Sequence, residues 1–443
     1  MKIVRIIAVA ALLGTNHVGA SDQIPAPDQS QALALRGATI YPVSSAPIRA
    51  GTIVLSGGKI TMLGTSVAVP DGAEVIDVSG KRIYPGLINA YTSIGLIEIG
   101  SVRGTRDARE VGRINPNVRA EVSVNPGSEI IPVTRANGIA TALSAPSGGT
   151  ISGRSAMLML DGWTWEDMVL KASVGLHVVW PRMTIVHAWW MDDSEEKQRE
   201  NRQKSLDALF DAFQDARAYM KARESNGKRG TPRHPTDLRW EAMTPVFKKE
   251  MPVFVVAHGV RQIQAAVAWA KAEDLRLVLV GATDAWRVAD LLKQRDIPVI
   301  VGGTHRTPSR RWEDYDSPYT LPLKLHEAGI RYCISSEVGF SGSGAASNAR
   351  NVPYEAATAA AYGLPQDEAL KAITLYPAQI LGVDDRVGSL EVGKDATLIV
   401  TDGDPLETPT HVERMYIQGR NIDLTSRHTM LYEKYKTKYN QKR

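Results

Sequence analysis

Seven apolar runs of strand length dominate the central part of this chain, and helical patterns separate many of them. The runs are rich in aliphatic residues and lack strict alternation, which favours parallel strands buried on both faces. Repeated strand and helix units at this length predict an α/β fold, a (β/α)8 TIM-like barrel, with an open doubly wound sheet as the alternative. The runs span residues 83–90, 138–144, 175–180, 252–257, 275–280, 298–301 and 331–335.

Shorter strand patterns flank this region at both ends of the chain. Residues 32–84 alternate β-branched segments with turn formers such as Pro70-Asp71-Gly72, and residues 385–425 contain further strand patterns. Neither part alone has enough strands to bury a face. We therefore expect both termini to build one small β-sandwich domain beside a barrel of residues 85–384. A polar helical insertion is expected within that barrel at about 192–250.

The first twenty residues have the layout of a secretory signal peptide. Lys2 and Arg5 precede an apolar run from Ile6 to Leu13, and small residues end at Ala20. We expect cleavage near Ala20 and an exported protein, either periplasmic or secreted. No later segment is long and apolar enough for a membrane span. The formal net charge of +4, without a clustered basic stripe, argues against nucleic acid as a partner.

The segment Pro85-Gly86-Leu87-Ile88 and the residues after it resemble the first barrel strand of the amidohydrolase superfamily, especially its imidazolonepropionase and prolidase-like branch. Residues 374–382 and 388–396 are similar to the last barrel helix of that family and to its return into the small β domain. The resemblance covers about residues 32–425. It implies hydrolysis of a C–N bond in an amide, a cyclic amide or a peptide.

The family places two histidines, one residue apart, directly after this first strand. Residues i and i+2 of a strand point to the same face, so both imidazoles can hold one metal. This sequence has Tyr91 and Ser93 at those positions, and neither is a good ligand for a divalent metal at neutral pH. Asn89 stands where an aspartate commonly precedes the pair. The resemblance therefore implies a degenerate metal site, and the cofactor is left open, with zinc or another divalent metal as the candidate.

Two residues retain part of the expected chemistry. His258 matches a metal-binding histidine of a later strand, and Glu337 follows the closing strand, where relatives carry an aspartate that binds metal and moves a proton. Both are candidate catalytic and metal-binding residues. The alternatives are a hydrogen-bonded histidine at a strand end and a salt bridge at the barrel rim. Candidate substrate-binding residues in the loops of the barrel are Tyr91, Ser93, Arg135 and His305.

Two functions remain open from the sequence. The first is an amidohydrolase-like hydrolase acting on a C–N bond of a small-molecule or peptide substrate. The second is a non-catalytic barrel that binds a ligand or supports a catalytic partner amidohydrolase subunit, and a second copy of the chain is a further candidate partner. The fold alone does not separate them, because function resides in the site.

Overall fold

The computed structural model describes residues 23–226, 233–336, 338 and 346–441. The expected signal peptide at 1–20 and Glu337 therefore lie outside the described residues. The strands are β1 (Leu33–Ile40), β2 (Ile48–Ser56), β3 (Lys59–Gly64), β4 (Glu74–Asp77), β5 (Arg82–Pro85), β6 (Leu87–Thr92), β7 (Ile139–Ser144), β8 (Ile151–Met159), β9 (Val169–Val179), β10 (Val253–Ala257), β11 (Leu277–Gly281), β12 (Val299–Val301), β13 (Tyr332–Ile334), β14 (Leu398–Thr401), β15 (Val412–Ile417) and β16 (Arg420–Ile422).

Helices connect many of these strands and cover the sheets. They are α1 (Ile130–Arg135), α2 (Trp165–Met168), α3 (Glu195–Glu224), α4 (Leu238–Glu241), α5 (Thr244–Phe247), α6 (Val260–Ala272), α7 (Ala289–Gln294), α8 (Ser317–Glu327), α9 (Val352–Ala361), α10 (Gln366–Lys371), α11 (Leu375–Leu381) and α12 (Arg427–Asn440). No helix in the described part of the chain is long and apolar enough to cross a membrane.

The main sheet contains eight strands in sequence order, from β6 at one edge to β13 at the other. Neighbouring strands are parallel except around β8, which runs antiparallel to both β7 and β9. The connections on either side of β8 are too short for the crossover that a parallel pair requires. Strands β7 and β11 are buried along their whole length, as expected for apolar runs covered on both faces.

The two edge strands of the main sheet meet through side chains. The Ser335 hydroxyl donates to Asn89 Oδ1 at 2.8 Å, and Asn89 Nδ2 donates to the Ser336 hydroxyl at 2.8 Å. The carbonyls of Ile373 and Ala372 accept from the amides of Ile88 in β6 and Ile334 in β13. The described residues form no β-ladder between β6 and β13. The predicted α/β class is confirmed; the main sheet is mixed, and the described residues do not close it into a barrel.

Strands from both ends of the chain share the second sheet, in the order β16-β15-β14-β5-β1-β2-β3, with β4 beside β1. β14 pairs with β5 from Leu398 opposite Pro85 to Thr401 opposite Arg82. At the edge formed by β3, the Ile60 amide donates to the carbonyl of Lys394, which lies shortly before β14. The sheet is therefore curled, because β3 approaches the chain that leads into β14. β1 is paired on both sides. The described unit is therefore one curled sheet with its own apolar core, where the sequence predicted a sandwich of two sheets.

The polar segment around α3 lies against the outside of the main sheet's helices. Only Leu209, Ala212, Phe213 and Ala216 of α3 are buried. The Phe213 ring meets the Trp269 ring of α6 edge-on, with centroids 4.8 Å apart. This packing directs the apolar side of α3 towards α6 and keeps its charged face in solvent.

Candidate functional site

Several of the predicted site residues lie where the parallel strands of the main sheet end, at the C-terminal side of the sheet. Tyr91 and Ser93 lie at the end of β6, His258 directly follows β10, and His305 lies in the loop after β12. Equivalent ends of parallel strands lie at the same edge of such a sheet. Glu337, which follows β13, is outside the described residues.

Tyr91 and His177 form an aromatic contact inside the sheet. The ring of His177, on β9, stacks on Phe254 of β10 with centroids 5.0 Å apart and lies 5.6 Å from the Tyr91 ring. His177 is 1% exposed, and neither of its ring nitrogens has a hydrogen-bond partner among the described residues. Phe254 is the second residue of β10, and His258 directly follows the end of that strand. We call the three contacting rings of Tyr91, His177 and Phe254, taken together with His258, the strand-end cluster.

Burial sets the protonation states within the strand-end cluster. Loss of solvation lowers the pKa of His177 to about 3 and raises the pKa of Tyr91 to about 12. Burial disfavours the charged form of each side chain, and no charged partner offsets it. At neutral pH the cluster therefore presents a neutral imidazole beside a protonated phenol.

His258 occupies space that a side chain at the end of β11 would need. An ideal Cβ on Gly281 would lie 2.4 Å from Cε1 of His258, and Gly281 has a φ of +85°. A side chain at residue 281 could not coexist with the observed His258 ring.

Positive side chains surround His258. Burial lowers its pKa to about 4, and the nearby guanidinium groups of Arg306 and Arg182 add to the effect, whereas Asp284 opposes it. His258 is neutral at pH 7 as a result. Its ring nitrogens can then accept a proton or a hydrogen bond, but with low basicity.

An ion pair holds the loop after β11 beside His258. The guanidinium of Arg310 donates to both oxygens of Asp284, at 2.8 Å and 2.6 Å, and Asp284 also accepts from the Val260 amide at 3.0 Å. The Asp284 side chain is 3% exposed. Arg310 and the other hydrogen bonds hold the pKa of Asp284 below its usual value although burial opposes this. The bidentate pair holds Arg310 against the loop after β11, and the hydrogen bond from the Val260 amide holds the start of α6 against the same loop.

His305 takes part in a second polar group, built around a buried carboxylate. The His305 amide donates to Glu355 Oε2 at 2.7 Å, and the Thr304 hydroxyl donates to the same oxygen at 2.9 Å. His305 Nε2 lies 2.8 Å from the Thr358 hydroxyl. Glu355 is 5% exposed. These contacts hold the loop after β12 against α9. His305 therefore has a structural role in positioning this loop.

A small pocket opens beside the loop after β12. Its volume is about 100 Å³, and its walls include Arg306, Trp286 and Trp312. Burial lowers the pKa of Arg306, while the carboxylates of Glu313 and Glu355 raise it. A half-buried guanidinium in a pocket that also contains two indole rings is suited to a carbonyl or carboxylate group of a ligand.

Arg135 lies away from the strand-end cluster. It is the last residue of α1, just before the N-terminal end of β7, and it is 4% exposed. Its guanidinium donates to Asp161 Oδ1 at 2.5 Å and to the Leu160 carbonyl at 2.9 Å, while Asp161 also accepts from Arg420 at 2.9 Å. The structure therefore does not bring Arg135 to the candidate site. It joins the main sheet to the sheet shared by the termini.

The described residues do not provide a ligand set for a catalytic metal. They contain no group of three histidine, cysteine, aspartate or glutamate side chains placed to hold an ion. Tyr91 is a protonated phenol at neutral pH, Ser93 is buried, and the space at Gly281 is filled by His258. A catalytic zinc takes three protein ligands and an open position. His258 is the one imidazole that remains of the expected set in this part of the chain.

The glycine turn at 147–153 supports a long surface segment. A Cβ on Gly148 would lie 2.7 Å from the Arg109 side chain, and one on Gly149 would lie 2.8 Å from the Arg113 carbonyl. Both glycines have positive φ. The turn therefore allows residues 109–113 to pack closely against it.

Two buried polar side chains of this region are not predicted by the sequence patterns. His177 sits inside an apolar strand pattern, and Glu355 sits on a helix without any recognisable motif. Alternation along β9 would place His177 on the same face as Gly175, but the sequence does not say which face is internal. The only available signal was a histidine in an otherwise apolar strand.

The chain is similar in sequence to known amidohydrolases. Residues 320–423 match the family described as Amidohydrolase family. The imidazolonepropionase of Symbiobacterium thermophilum is 23% identical over 88% of this chain and 89% of its own length. Amidohydrolase tasK of Hapsidospora irregularis is 22% identical over 83% of this chain, and the match covers 39% of that longer protein.

A solved structure of an amidohydrolase from Thermotoga maritima MSB8 is similar over nearly its whole length. Its TM-score is 0.77 at 27% identity, covering 88% of this chain and 99% of the other. The fold is thus similar to that of a solved amidohydrolase, and a further relative, the 5'-deoxyadenosine deaminase of Methanobrevibacter smithii, is 23% identical over 85% of this chain and 86% of its own length.

Proposed function

We propose that this chain, whose residues 320–423 match the amidohydrolase family, hydrolyses a C–N bond of a small amide, cyclic amide or peptide at the strand-end cluster. The observation that supports the proposal is the meeting of Tyr91 and His177 within the fold of a superfamily of C–N hydrolases. His258 lies at the same edge of the sheet. Active sites of such α/β sheets lie at the C-terminal strand ends.

The protonation states assign separate roles to these groups. Tyr91, as a protonated phenol, can donate a hydrogen bond to the oxygen of the scissile amide as negative charge develops there. Neutral His258 can accept a hydrogen bond from the attacking water, and Glu337 is the candidate general base. Arg306 can orient a carbonyl or carboxylate of the substrate from the neighbouring pocket. No step is assigned to a metal, since the described donor set does not fit one.

Substitution kinetics test the proposal. The purified protein is assayed against amides, cyclic amides and dipeptides, with bound metal measured on the same sample. Loss of a positioned acid or base lowers kcat/KM by about 10²–10⁴-fold, so His258→Gln, Glu337→Gln and Tyr91→Phe should each lose activity. His187→Gln, at an exposed histidine, is the matched control. Wild-type activity in all three variants would refute the assigned site.

A second function is favoured by the incomplete donor set. With one imidazole of the expected set among the described residues, the fold can bind a ligand or support a catalytic amidohydrolase subunit without reacting. The same assay distinguishes the two functions. No hydrolysis of any panel member, together with saturable binding of one of them, would establish the binding role.

We also propose export across a membrane, which rests on the charged start and apolar core of residues 1–20. Mass spectrometry of the native protein should find an N-terminus near Ser21. Recovery of intact Met1 in a cytosolic fraction would refute export.

A further inference from the structure

Helix α12 carries an aromatic face that no other part of the described chain covers. Tyr432, Tyr435 and Tyr439 are 64%, 48% and 64% exposed, and Leu431 is 40% exposed. His428, Leu431, Tyr432, Tyr435 and Tyr439 lie along one side of α12 and form this open face. The helix has no buried residue. The tyrosine rings on this face are therefore exposed to solvent.

The start of α12 is nevertheless fixed to the protein. The Ser426 side chain caps the helix by accepting from the Thr429 amide, and Arg350 lies 2.8 Å from Nδ1 of His428. Helices shorter than about 12–15 residues are marginal in water without tertiary packing. A 14-residue helix held only at its first turn thus gains stability from whatever covers the aromatic face.

Lysines flank the aromatic face on both sides. Lys436 lies over the Tyr432 ring at 5.4 Å, and Lys438 lies over the Tyr435 ring at 5.7 Å. The segment 427–443 contains six basic residues and one acidic residue, Glu433. An apolar strip of aromatic rings between cationic side chains is the pattern of a helix that lies in the interface of an anionic membrane.

We propose that α12 binds the surface of an anionic phospholipid bilayer, with its tyrosines at the headgroup level and its lysines at the phosphates. Tyrosine favours this depth because its ring is apolar and its hydroxyl is polar. Each lysine near an anionic surface adds to the attraction. Pairing of α12 with the same helix of a second copy is disfavoured, because it would bring two strongly basic segments together. This binding requires no membrane-spanning helix and is independent of the catalytic proposal.

Vesicle co-sedimentation of the full chain tests the proposal. Vesicles of pure phosphatidylcholine are compared with vesicles containing about a third phosphatidylglycerol, at low and high salt. We expect binding to the anionic vesicles only, weakened by salt because screening shortens the range of the attraction. Replacing Lys434, Lys436 and Lys438 by Gln should lower partitioning on the order of a hundredfold.

The aromatic face is tested separately with Tyr432→Ser, Tyr435→Ser and Tyr439→Ser combined. This variant should also lose vesicle binding, whereas Thr437→Ser, on the other side of the helix, should not. Since α12 buries no residue, all variants should keep the wild-type melting temperature. Three results would overturn the proposal: no preference for anionic vesicles, unchanged binding of the tyrosine variant, or self-association through α12 in place of vesicle binding.

Discussion

The imidazole of His258 fills the space above Gly281, where an ideal Cβ would approach its Cε1 to 2.4 Å. The absence of a side chain at Gly281 is therefore a packing requirement of His258, and a larger residue at position 281 would have to displace the imidazole.

Substitution Gly281→Ala should displace His258 and destabilise the protein by about 2–5 kcal/mol. The new Cβ would overlap the imidazole, which costs roughly 1–3 kcal/mol, and the left-handed backbone adds about 1–2 kcal/mol for a residue other than glycine. Urea denaturation measures the loss. Gly104→Ala is the control, because nothing lies within 4 Å of a Cβ there. Equal stability of the two variants would contradict the observed position of His258.

His177 should make stability depend on pH below neutrality. Its folded pKa of about 3 lies below the ordinary value of 6.5, so the unfolded chain binds a proton that the folded chain rejects. Stability therefore falls as the pH falls through 6.5, by about 2 kcal/mol between pH 7 and pH 5 from this residue. His177→Phe should flatten this part of the profile, whereas His187→Gln should not. A profile unchanged by His177→Phe would show that the ring is not buried and neutral.

The bidentate pair between Arg310 and Asp284 should matter more than a surface ion pair. Arg310→Met leaves a carboxylate that is 3% exposed without its main partner. Breaking a buried pair costs about 3–5 kcal/mol, and we expect about half of that because the arginine side chain is 33% exposed. Thermal denaturation compares this variant with Arg311→Met, at an exposed neighbour. Matching melting temperatures would show that Asp284 is solvated.

The sequence predicts the positions of the strands better than their directions. Apolar runs such as 252–257 become buried strands because burial on both faces demands continuous hydrophobicity. The reversal at β8 depends on short turns that carry no such signal. Similarly, the spacing of Tyr91 and Ser93 predicts an altered site, whereas the His177 contact joins strands that are far apart in sequence and that no sequence pattern connects. Arg135 appeared to be a site residue only because loop position does not reveal its burial beside Asp161.

Restoring the histidine pair should create metal affinity at the strand ends. The double substitution Tyr91→His and Ser93→His adds two imidazoles one residue apart on β6, and His258 would be the third ligand. Zinc affinity should rise at least about tenfold over wild type, with smaller changes in each single variant. Calorimetric zinc titration at pH 7 measures this. An unchanged affinity in a folded double variant would show that β6 and His258 do not converge.

Truncation after Asp384 should abolish cooperative folding, because it removes β14, which pairs with β5, together with β15 and β16 of the same sheet. Leu398, Ile399 and Val400 are fully buried on this strand, and Tyr416 of β15 is 1% exposed. Each such side chain contributes roughly 1.5–3 kcal/mol by burial, so their joint loss is comparable with the whole stability of a domain, about 5–15 kcal/mol. A chain ending at Ser426, which lacks only the exposed α12, is the control and should melt at the wild-type temperature. A cooperative transition in the shorter chain at that same temperature would mean that β14 is dispensable, in conflict with its central place in the sheet.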